Sequence, residues 1–521
     1  MPCYLFHKLL LSNLLIACLT TFGYSQDYYE WGRGGGGRAG EMPYCVKTDS
    51  VGNTYVTGSF SDTANIGGFI INCTDANDID MFLAKYNSLG ICQWVRTLGQ
   101  SGTDFGAAID FDKQGYIYVG GKLKGDMFAR YDHHGNLLRT IPAVTWAQVQ
   151  SIAVYDRYIL AAGVFGNTAT FGSISLTANG PYDAFIVCYD TSGAFQWAKQ
   201  YGGSAPEEAT NIAVDKNGNS YMVGHNLGAP GQIFIVKYDI TGNLVWAKES
   251  TGPDVIDSKC FAIDIDQAGN IYLGVLGIDM TLDSFTANNS VLIKIKPEGT
   301  VVWMKETSDN TVSINSLKFD YNNDLYITGQ YSGDTIHFGN ATLPASGFDN
   351  FYVAKYDSSG NNIMAKGGYL TPSLGGVGGT SLSFDKLNNI YVGGFYGPYG
   401  PDSYNAHFDS ITLAGSGDKD IFLLKLLHEG ASKPVVKASN PEIFIPNLIT
   451  ANADGLNDFF TIKGLQPNSS LNIYNRWGEL IYYSEDYKND WSAPVSAGLY
   501  YFNFTNSKDQ KNRHGWVEVI K

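Results

Sequence analysis

Hydrophobic and polar positions alternate over short stretches along most of the chain, and glycine-containing turns separate these stretches. Residues 183–224 show the pattern, with an apolar run at 185–190 that turns at Thr-Ser-Gly and returns at 194–199. A second run at 211–215 turns at Asn-Gly and returns at 220–224. Asn-Gly between two apolar runs favours a β-hairpin, because glycine reaches positive φ without strain. The stretch therefore predicts two hairpins, which together make four strands.

The same text recurs along most of the chain. A turn-and-strand motif, in which an Asp precedes a turn and an aromatic strand, begins at Asp49, Asp112, Asp156, Asp215, Asp266, Asp320 and Asp385. A second strand motif, of the form Asp-x-Phe-x-x-Lys-Tyr, occupies 80–86, 126–131, 183–189, 233–238, 291–296, 351–356 and 420–426. Four strands in each of seven units, at about 57 residues per unit, are typical of a β-propeller. The sequence therefore predicts an all-β, seven-bladed β-propeller with four-stranded blades over residues 27–426.

The two ends of this repeat region complement each other. The last unit ends at 420–425 without a fourth strand, and the N-terminus supplies a lone strand around Trp31. We expect this N-terminal strand to close the last blade and remove a free sheet edge. The glycine run at 32–37 matches GxGxxG twice, but without a strand-then-helix context it indicates a flexible loop.

Four units carry long insertions between their second and third strands. They occupy residues 61–79, 166–181, 332–348 and 397–417. Three of them contain an aromatic residue followed by a β-rich stretch, at 171–176, 338–343 and 408–413, which predicts extended hairpins. Insertions that recur at one position of a repeat lie on one face, where propellers place binding specificity.

Composition and charge narrow the class of protein. The 521 residues include 60 glycines and only 16% charged residues, which suits many short strands joined by tight turns. The formal net charge of -15 repels phosphate backbones, so we expect no nucleic-acid partner.

Residues 1–25 predict a signal peptide. Lys8 precedes a leucine-rich stretch, and small residues lead to a cleavage site between Ser25 and Gln26. An alternative is a lipobox that ends at Cys18, which would then carry a lipid. We expect no transmembrane segment in the mature chain.

Five cysteines follow the signal segment, at Cys45, Cys73, Cys92, Cys188 and Cys260. An odd number at irregular spacing does not indicate a disulfide framework. Cys188 and Cys260 are expected as small buried hydrophobic residues, and one bridge among the other three is an open alternative.

The repeats resemble those of secreted bacterial β-propeller proteins, called SBBP repeats. The resemblance rests on the turn-and-strand motif and the second strand motif, and it covers about 400 residues. It implies the architecture and no particular activity.

After a linker at 427–441, residues 442–521 carry short strands with alternating aromatic residues and predict a small Ig-like β-sandwich. This segment resembles the gliding-motility-associated C-terminal domain, the type B sorting domain of the type IX secretion system of Bacteroidota. The matching residues are Phe444, Pro446, Asn447, Asp454, Gly455, Asn457, Asp458, Asn475, Arg476, Trp477, Gly478, Gly515 and Trp516. Ala451, Ala453 and Ser492-Ala493 depart from the family pattern. The resemblance implies export through the type IX machinery in the outer membrane, followed by display on the cell surface or release.

Candidate chemistry is sparse. Asn452, Asp454, Asn457 and Asp458 alternate around a glycine as in a calcium loop, or form a turn that caps its own backbone. HExxH, GxSxG and Walker motifs are absent from the sequence, so no catalytic or cofactor-binding residue is assigned. The leading hypothesis is a non-enzymatic secreted or surface-displayed propeller that mediates adhesion by binding a glycan or protein. The alternative is a polysaccharide-active enzyme, a glycoside hydrolase or lyase, with acidic residues on the propeller face.

Overall fold

The computed structural model describes residues 28–521, except for 76–77, 143–145, 229–230, 253–257, 278–279, 309–311, 334, 347, 373–374, 399–402, 429–444, 447, 451–458, 463, 493–496, 509–510 and 521. The predicted cleavage site, Cys18, most of the predicted linker and the calcium candidates lie outside the described residues. The chain divides into two compact units, Met1–Glu429 and Gly430–Lys521.

The first unit begins with strand β1 (Tyr28–Gly37). Blade I follows, with β2 (Met42–Thr48), β3 (Thr54–Ser61), the insertion strands β4 (Thr63–Ile66) and β5 (Phe69–Asn72), β6 (Ile79–Tyr86) and β7 (Cys92–Leu98). Blade II comprises β8 (Phe105–Phe111), β9 (Ile117–Leu123), β10 (Asp126–Tyr131) and β11 (Leu137–Pro142). Blade III comprises β12 (Ala147–Tyr155), β13 (Tyr158–Phe171), β14 (Ile174–Asp190) and β15 (Phe195–Tyr201).

Blade IV comprises β16 (Glu207–Val214), β17 (Ser220–Asn226), β18 (Ile233–Tyr238) and β19 (Leu244–Glu249). Blade V comprises β20 (Lys259–Ile265), β21 (Ile271–Leu276), the insertion strands β22 (Met280–Leu282) and β23 (Phe285–Ala287), β24 (Val291–Ile295) and β25 (Val301–Glu306). Blade VI comprises β26 (Val312–Phe319), β27 (Leu325–Ser332), the insertion strands β28 (Ile336–Phe338) and β29 (Ala341–Leu343), β30 (Asp349–Tyr356) and β31 (Asn362–Thr371). Blade VII comprises β32 (Gly375–Phe384), β33 (Ile390–Pro398), the insertion strands β34 (Ser403–Phe408) and β35 (Ile411–Ser416), and β36 (Asp420–Leu427).

These strands confirm the predicted all-β propeller. The innermost strands β2, β8, β12, β16, β20, β26 and β32 pack side by side in this order, and β32 packs against β2. The N-terminal strand closes the ring as predicted, because β1 pairs antiparallel with β36, from Tyr28 opposite Leu427 to Gly35 opposite Ile421. The three predicted insertion hairpins are present, and the insertion at 61–79 also forms a hairpin, β4–β5. Blade V carries a fifth hairpin, β22–β23, that the sequence pattern did not reveal.

The flexible loop predicted for Gly32–Gly37 is wrong, because this run is the second half of β1. Its residues pair with β36 and then with β4, where Gly36 lies opposite Asn65. A side chain at these glycine positions would have no room. A Cβ at Gly36 would overlap the carboxylate of Asp420, and one at Gly34 would lie 2.5 Å from the Tyr396 hydroxyl. The glycines therefore permit close packing inside the closing blade.

The second unit contains one described five-stranded sheet. Its strands are β37 (Leu448–Thr450), β38 (Ser470–Tyr474), β39 (Leu480–Ser484), β40 (Gly498–Thr505) and β41 (Asn512–Ile520), in the order β37-β41-β40-β38-β39. Phe460, Trp491 and Phe502 form part of its core. The Ig-like β-sandwich stays a prediction.

Candidate ligand-binding face of the propeller

The repeated aspartate forms a turn rather than an active site. In the copy at Asp215, Oδ1 accepts the backbone N–H groups of Asn217 (2.9 Å) and Asn219 (3.0 Å), while Oδ2 accepts the Tyr221 hydroxyl (3.2 Å). Gly218 completes the turn at φ +83°. The same capping occurs at Asp49, Asp112, Asp266, Asp320 and Asp385. Side-chain capping of this kind accounts for the residues that recur in each repeat, and no catalytic role is needed to explain them.

The repeated tryptophan joins neighbouring blades. The Trp197 ring of blade III covers Gly242 in a turn of blade IV, and its Nε1–H donates to the Ile240 carbonyl (3.2 Å). Equivalent ring-on-glycine contacts pair Trp31 with Gly90, Trp94 with Gly135, Trp246 with Gly299 and Trp303 with Gly360. Since these repeat residues serve the fold, the positions that differ between blades are the candidates for a ligand-binding site.

One face of the propeller collects such positions. Second and first strands are antiparallel, with Met42 opposite Ser59, so each innermost strand begins beside the end of its second strand. The insertions start from that same end. We call this side the insertion face.

A central channel opens between the innermost strands. Its cavity has a volume of about 810 Å³. Each innermost strand has one bulge near its start, and the bulged residues lining the channel are Tyr44, Ala107, Gln150, Thr210, Phe261, Asn315 and Thr380. A bulge turns one extra side chain out of the ladder. The seven bulges therefore surround the channel with uncharged side chains, which are aromatic or polar except for Ala107.

Many polar groups near the channel hold adjacent blades together. Donor and acceptor pairs that cross between blades are Val46 N–H to Ser381 Oγ (3.0 Å), Asn211 Nδ2 to the Phe261 carbonyl (3.0 Å), Asn315 Nδ2 to the Gly379 carbonyl (2.8 Å) and Leu382 N–H to Ser316 Oγ (3.2 Å). The charged groups are paired as well, Lys47 with Asp110 (2.8 Å) and Lys318 with Asp264 (3.5 Å). The polar groups near the channel thus serve to hold neighbouring blades together.

A cluster with perturbed acidities lies near the channel, at the start of blades IV and V. Gln150 Nε2 donates to Glu208 Oε1 (2.8 Å), and Glu208 lies opposite His225 in the β16–β17 pair. Burial raises the pKa of Glu208, although Gln150 and Lys259 oppose the shift. Burial, with Lys259, lowers the pKa of His225 to about 4. A neutral histidine beside an acid of raised pKa is a group that could exchange protons. No sequence pattern pointed to this cluster, because its members come from three blades.

Three blade junctions on the insertion face each hold two buried carboxyl groups. The pairs are Asp80 with Asp104, Asp183 with Glu207, and Asp420 with Glu41, all less than 8% exposed. Burial and the neighbouring carboxylate raise the pKa of the second member of each pair, and that of Glu41 reaches about 9. Backbone groups hold them, as when Gly37 N–H donates to Glu41 Oε2 (2.9 Å). The pairs at Asp80 and Asp183 are packed inside their junctions, whereas Asp420 also borders a cavity beside the closing strand.

Large aromatic side chains on the insertion face remain exposed. Tyr44, Trp146, Phe348 and Tyr369 expose 41%, 54%, 59% and 39% of their surface, respectively. Trp146 and Tyr182 lie beside each other at the base of the blade III insertion, and Tyr369 stacks on His407 (ring centroids 5.0 Å apart). Exposed aromatic rings provide large, rigid contact areas for ligands.

A second cavity, of about 940 Å³, lies beside the closing strand. Its wall includes Asn65, Asn405, Thr412 and Asp420, with the glycine run of β1 as its floor. Arg33 also lines it, but its guanidinium donates to the carbonyls of residues 32, 89 and 90. The lining therefore combines apolar and neutral polar groups with the buried carboxylate of Asp420.

In the C-terminal unit, the structure places part of the predicted sorting motif. Asn475 caps a turn by accepting the N–H groups of Trp477 and Glu479 (3.0 Å each), and Gly478 takes φ +81°. The Arg476 guanidinium lies 4.0 Å from the centre of the Trp477 ring, which is 75% exposed. Gly515 and Trp516 lie on β41. Pro446 is also described, whereas Phe444, Asn447, Asp454, Gly455, Asn457 and Asp458 fall outside the described residues.

The five cysteines carry free thiols, and Cys188 and Cys260 are buried as expected. Within the described ranges, no group of three or more His, Cys, Asp and Glu side chains is placed to hold a metal ion. Among the same residues, no helix is long and apolar enough to cross a membrane. The calcium interpretation of Asn452 and its neighbours stays a prediction.

Comparisons with known proteins find matches in both units of the chain. Residues 443–519 match the model of the CHU_C type IX secretion signal domain. Residues 93–122 and 196–225 match the SBBP beta-propeller repeat. An uncharacterized WD repeat-containing protein of Acanthamoeba polyphaga mimivirus is 25% identical over 358 residues, which are 65% of this chain. The match spans about a fifth (21%) of that relative's own length.

Several solved structures are similar at low identity. Sqt1 from Chaetomium thermophilum is 10% identical, with 75% of this chain and 100% of that chain covered and a TM-score of 0.39. Puromycin hydrolase is 9% identical, with coverages of 90% and 59% and a TM-score of 0.40. PorZ of Porphyromonas gingivalis, described as a surface component of the type IX secretion system, is 10% identical, with coverages of 94% and 100% and a TM-score of 0.17. The strand topology is that of a β-propeller, two segments of which match the SBBP repeat, and residues 443–519 match a type IX secretion signal domain.

Proposed function

We propose that this protein is a non-enzymatic binding and adhesion propeller. Its CHU_C domain marks it for type IX secretion or display at the cell surface. In this proposal, the propeller is the cargo and its insertion face contacts a glycan or protein outside the cell. The sorting unit, residues 442–521, engages the secretion machinery.

The observation that supports binding is the contrast between aromatic and acidic residues on the insertion face. Trp146, Phe348 and Tyr369 are exposed there, whereas the three carboxyl pairs are buried in the junctions. Glycosidases need two carboxyl groups that face the substrate at about 5–10 Å from each other. A ligand on the insertion face meets aromatic rings first, which favours a binding surface.

A polysaccharide-active enzyme is the second candidate, because burial and the nearby Lys259 shift the pKa values of two neighbouring groups, Glu208 and His225. A buried glutamic acid of raised pKa is suited to donate a proton to a leaving group. His225 is only 3% exposed, so this chemistry would need a substrate that reaches behind the channel wall.

The experiment that separates the two functions incubates the purified protein with a panel of soluble polysaccharides and reads retention and product size together. Retention of intact polymer supports the binding function. Shortened products that disappear in Glu208→Gln, but persist in an exposed control such as Glu298→Gln, would replace it with the enzyme. If no polysaccharide is retained, capture of envelope proteins tests the remaining form of the binding proposal.

A further inference from the structure

Three adjacent strands of blade III place two aromatic rings on either side of a glycine. Gly166 of β13 lies opposite Tyr182 of β14, and its N–H donates to the Trp146 carbonyl just before β12 (3.2 Å). The indole covers this glycine closely, since a Cβ at Gly166 would lie 3.0 Å from the Trp146 ring. The two ring centroids are 6.2 Å apart, with an angle of 58° between the ring planes. Trp146, Gly166 and Tyr182 therefore form a fixed, angled aromatic seat, which we call the blade III platform.

The platform is fixed on one side and open on the other. Backbone packing against Gly166 determines where the indole lies, while 54% of the Trp146 side chain remains in contact with solvent. An aromatic ring held in place loses little conformational entropy when a ligand stacks on it. This arrangement differs from the repeat tryptophans, whose rings cover turns of the neighbouring blade.

The insertion next to the platform is hydroxylated and uncharged. Thr168 pairs with Thr177 (Oγ1 atoms 3.0 Å apart), and Thr170 pairs with Ser175 (2.9 Å), all on a hairpin that projects from the same strands. Residues 158–182 contain no charged residue, and the neighbouring Asp183 is fully buried. With a formal net charge of -15, the chain as a whole repels anionic polymers.

We propose that the blade III platform binds a neutral pyranose oligosaccharide, an inference that rests on the binding function proposed above. One face of a pyranose ring carries C–H groups and stacks on an aromatic ring, while its hydroxyls need polar neighbours such as the threonine hairpin. A protein partner fits less well. Two aromatic rings bury at most about 500 Å², whereas a stable protein interface covers about 800 Å² on each partner.

The test titrates the full-length protein with cellohexaose, maltohexaose and an acidic alginate hexasaccharide by calorimetry. We expect a neutral hexasaccharide to bind and the acidic one to bind at least tenfold more weakly. Trp146→Ala is expected to weaken the neutral sugar by roughly tenfold or more, and Trp146→Phe to retain most of the affinity because it keeps a ring. Trp477→Ala is the matched control, because it removes an exposed indole in the second unit, outside the proposed ligand-binding face.

The outcomes separate the platform from the general function. If a neutral sugar binds equally well to the wild type and to a folded Trp146→Ala variant, the platform proposal is wrong while the binding function stands. Preferential binding of the alginate, or a loss of binding in Trp477→Ala as large as in Trp146→Ala, also overturns the platform. Cleavage of the sugars would overturn the binding function itself. Melting curves establish that each variant is folded, and the Phe variant decides the matter if the Ala variant is not.

Discussion

Replacing Glu41 by glutamine should make the propeller more stable at alkaline pH. Glu41 lies fully buried at the junction of the closing blade with blade I, next to Asp420. Burial, followed by the nearby carboxylates of Asp420 and Asp418, raises its pKa from 4.5 to about 9 against the opposing hydrogen bond from Gly37. Glutamine resembles the protonated acid in shape and can still donate a hydrogen bond, but it never has to ionise.

The magnitude follows from proton linkage. Between pH 4.5 and about pH 9, unfolded chains have lost this proton while folded chains keep it, so stability falls as the pH rises. At 1.36 kcal/mol per pH unit, raising the pH from 4.5 to 7 costs about 3 kcal/mol. For a unit of about 400 residues, this corresponds to a change of about 4 °C in Tm. Below pH 4.5 both states are protonated, and the contribution of Glu41 is fully favourable.

The assay is differential scanning calorimetry of the wild type and of Glu41→Gln between pH 4.5 and pH 8.5. We expect the two proteins to have similar Tm values near pH 4.5 and the variant to gain several degrees towards pH 8. Glu298→Gln, which changes an exposed glutamate in a turn of blade V, should leave the pH dependence unaltered. Parallel Tm curves for wild type and Glu41→Gln would refute the reasoning, because they would show that Glu41 ionises normally in the folded protein.

Three further outcomes test the fold and the export route. Trp197→Ala should destabilise the propeller by about 3–5 kcal/mol, because it removes a buried ring between blades. Trp477→Ala, which removes an exposed ring in the second unit, should leave the Tm of that unit almost unchanged. Gly36→Ala should prevent stable closure of the last blade. Gly203→Ala should be tolerated, since the nearest atom to its new Cβ would be 4.0 Å away. Soluble yield and Tm of the two variants test both expectations. Deletion of 442–521 should leave the propeller inside the cell envelope, as measured by its amount in the medium and on intact cells.

Short sequence patterns were enough to predict the blades. The turn around Asp215 depends on residues within six positions of it, so its hydrogen bonds are encoded in one short stretch. The closing strand could also be predicted, because one unit lacked a strand and the N-terminus offered one with Trp31. The short β22–β23 hairpin was missed, since three-residue strands leave too little alternation to recognise.

Features that join distant residues could not be read from the sequence. The glycine run of β1 was interpreted as flexible from composition, yet its need for glycine comes from Tyr396 and Asp420 at the other end of the repeat region. Likewise, Glu208 and Lys259 gain their altered surroundings only when blades IV and V pack together. Sequence motifs describe a residue's own neighbourhood, whereas these sites depend on the ring.

The pairing of β1 with β36 has a consequence for how the protein is made. Tyr28 and Leu427 are partners in one ladder although 398 residues separate them. Contacts of such long range carry the highest loop-closure entropy and form late. A ribosome has to finish all seven repeats before the first strand finds its partner, so a prematurely terminated chain keeps an unsealed edge. Ring closure thus distinguishes complete polypeptides from fragments, and cellular proteases can act on that difference.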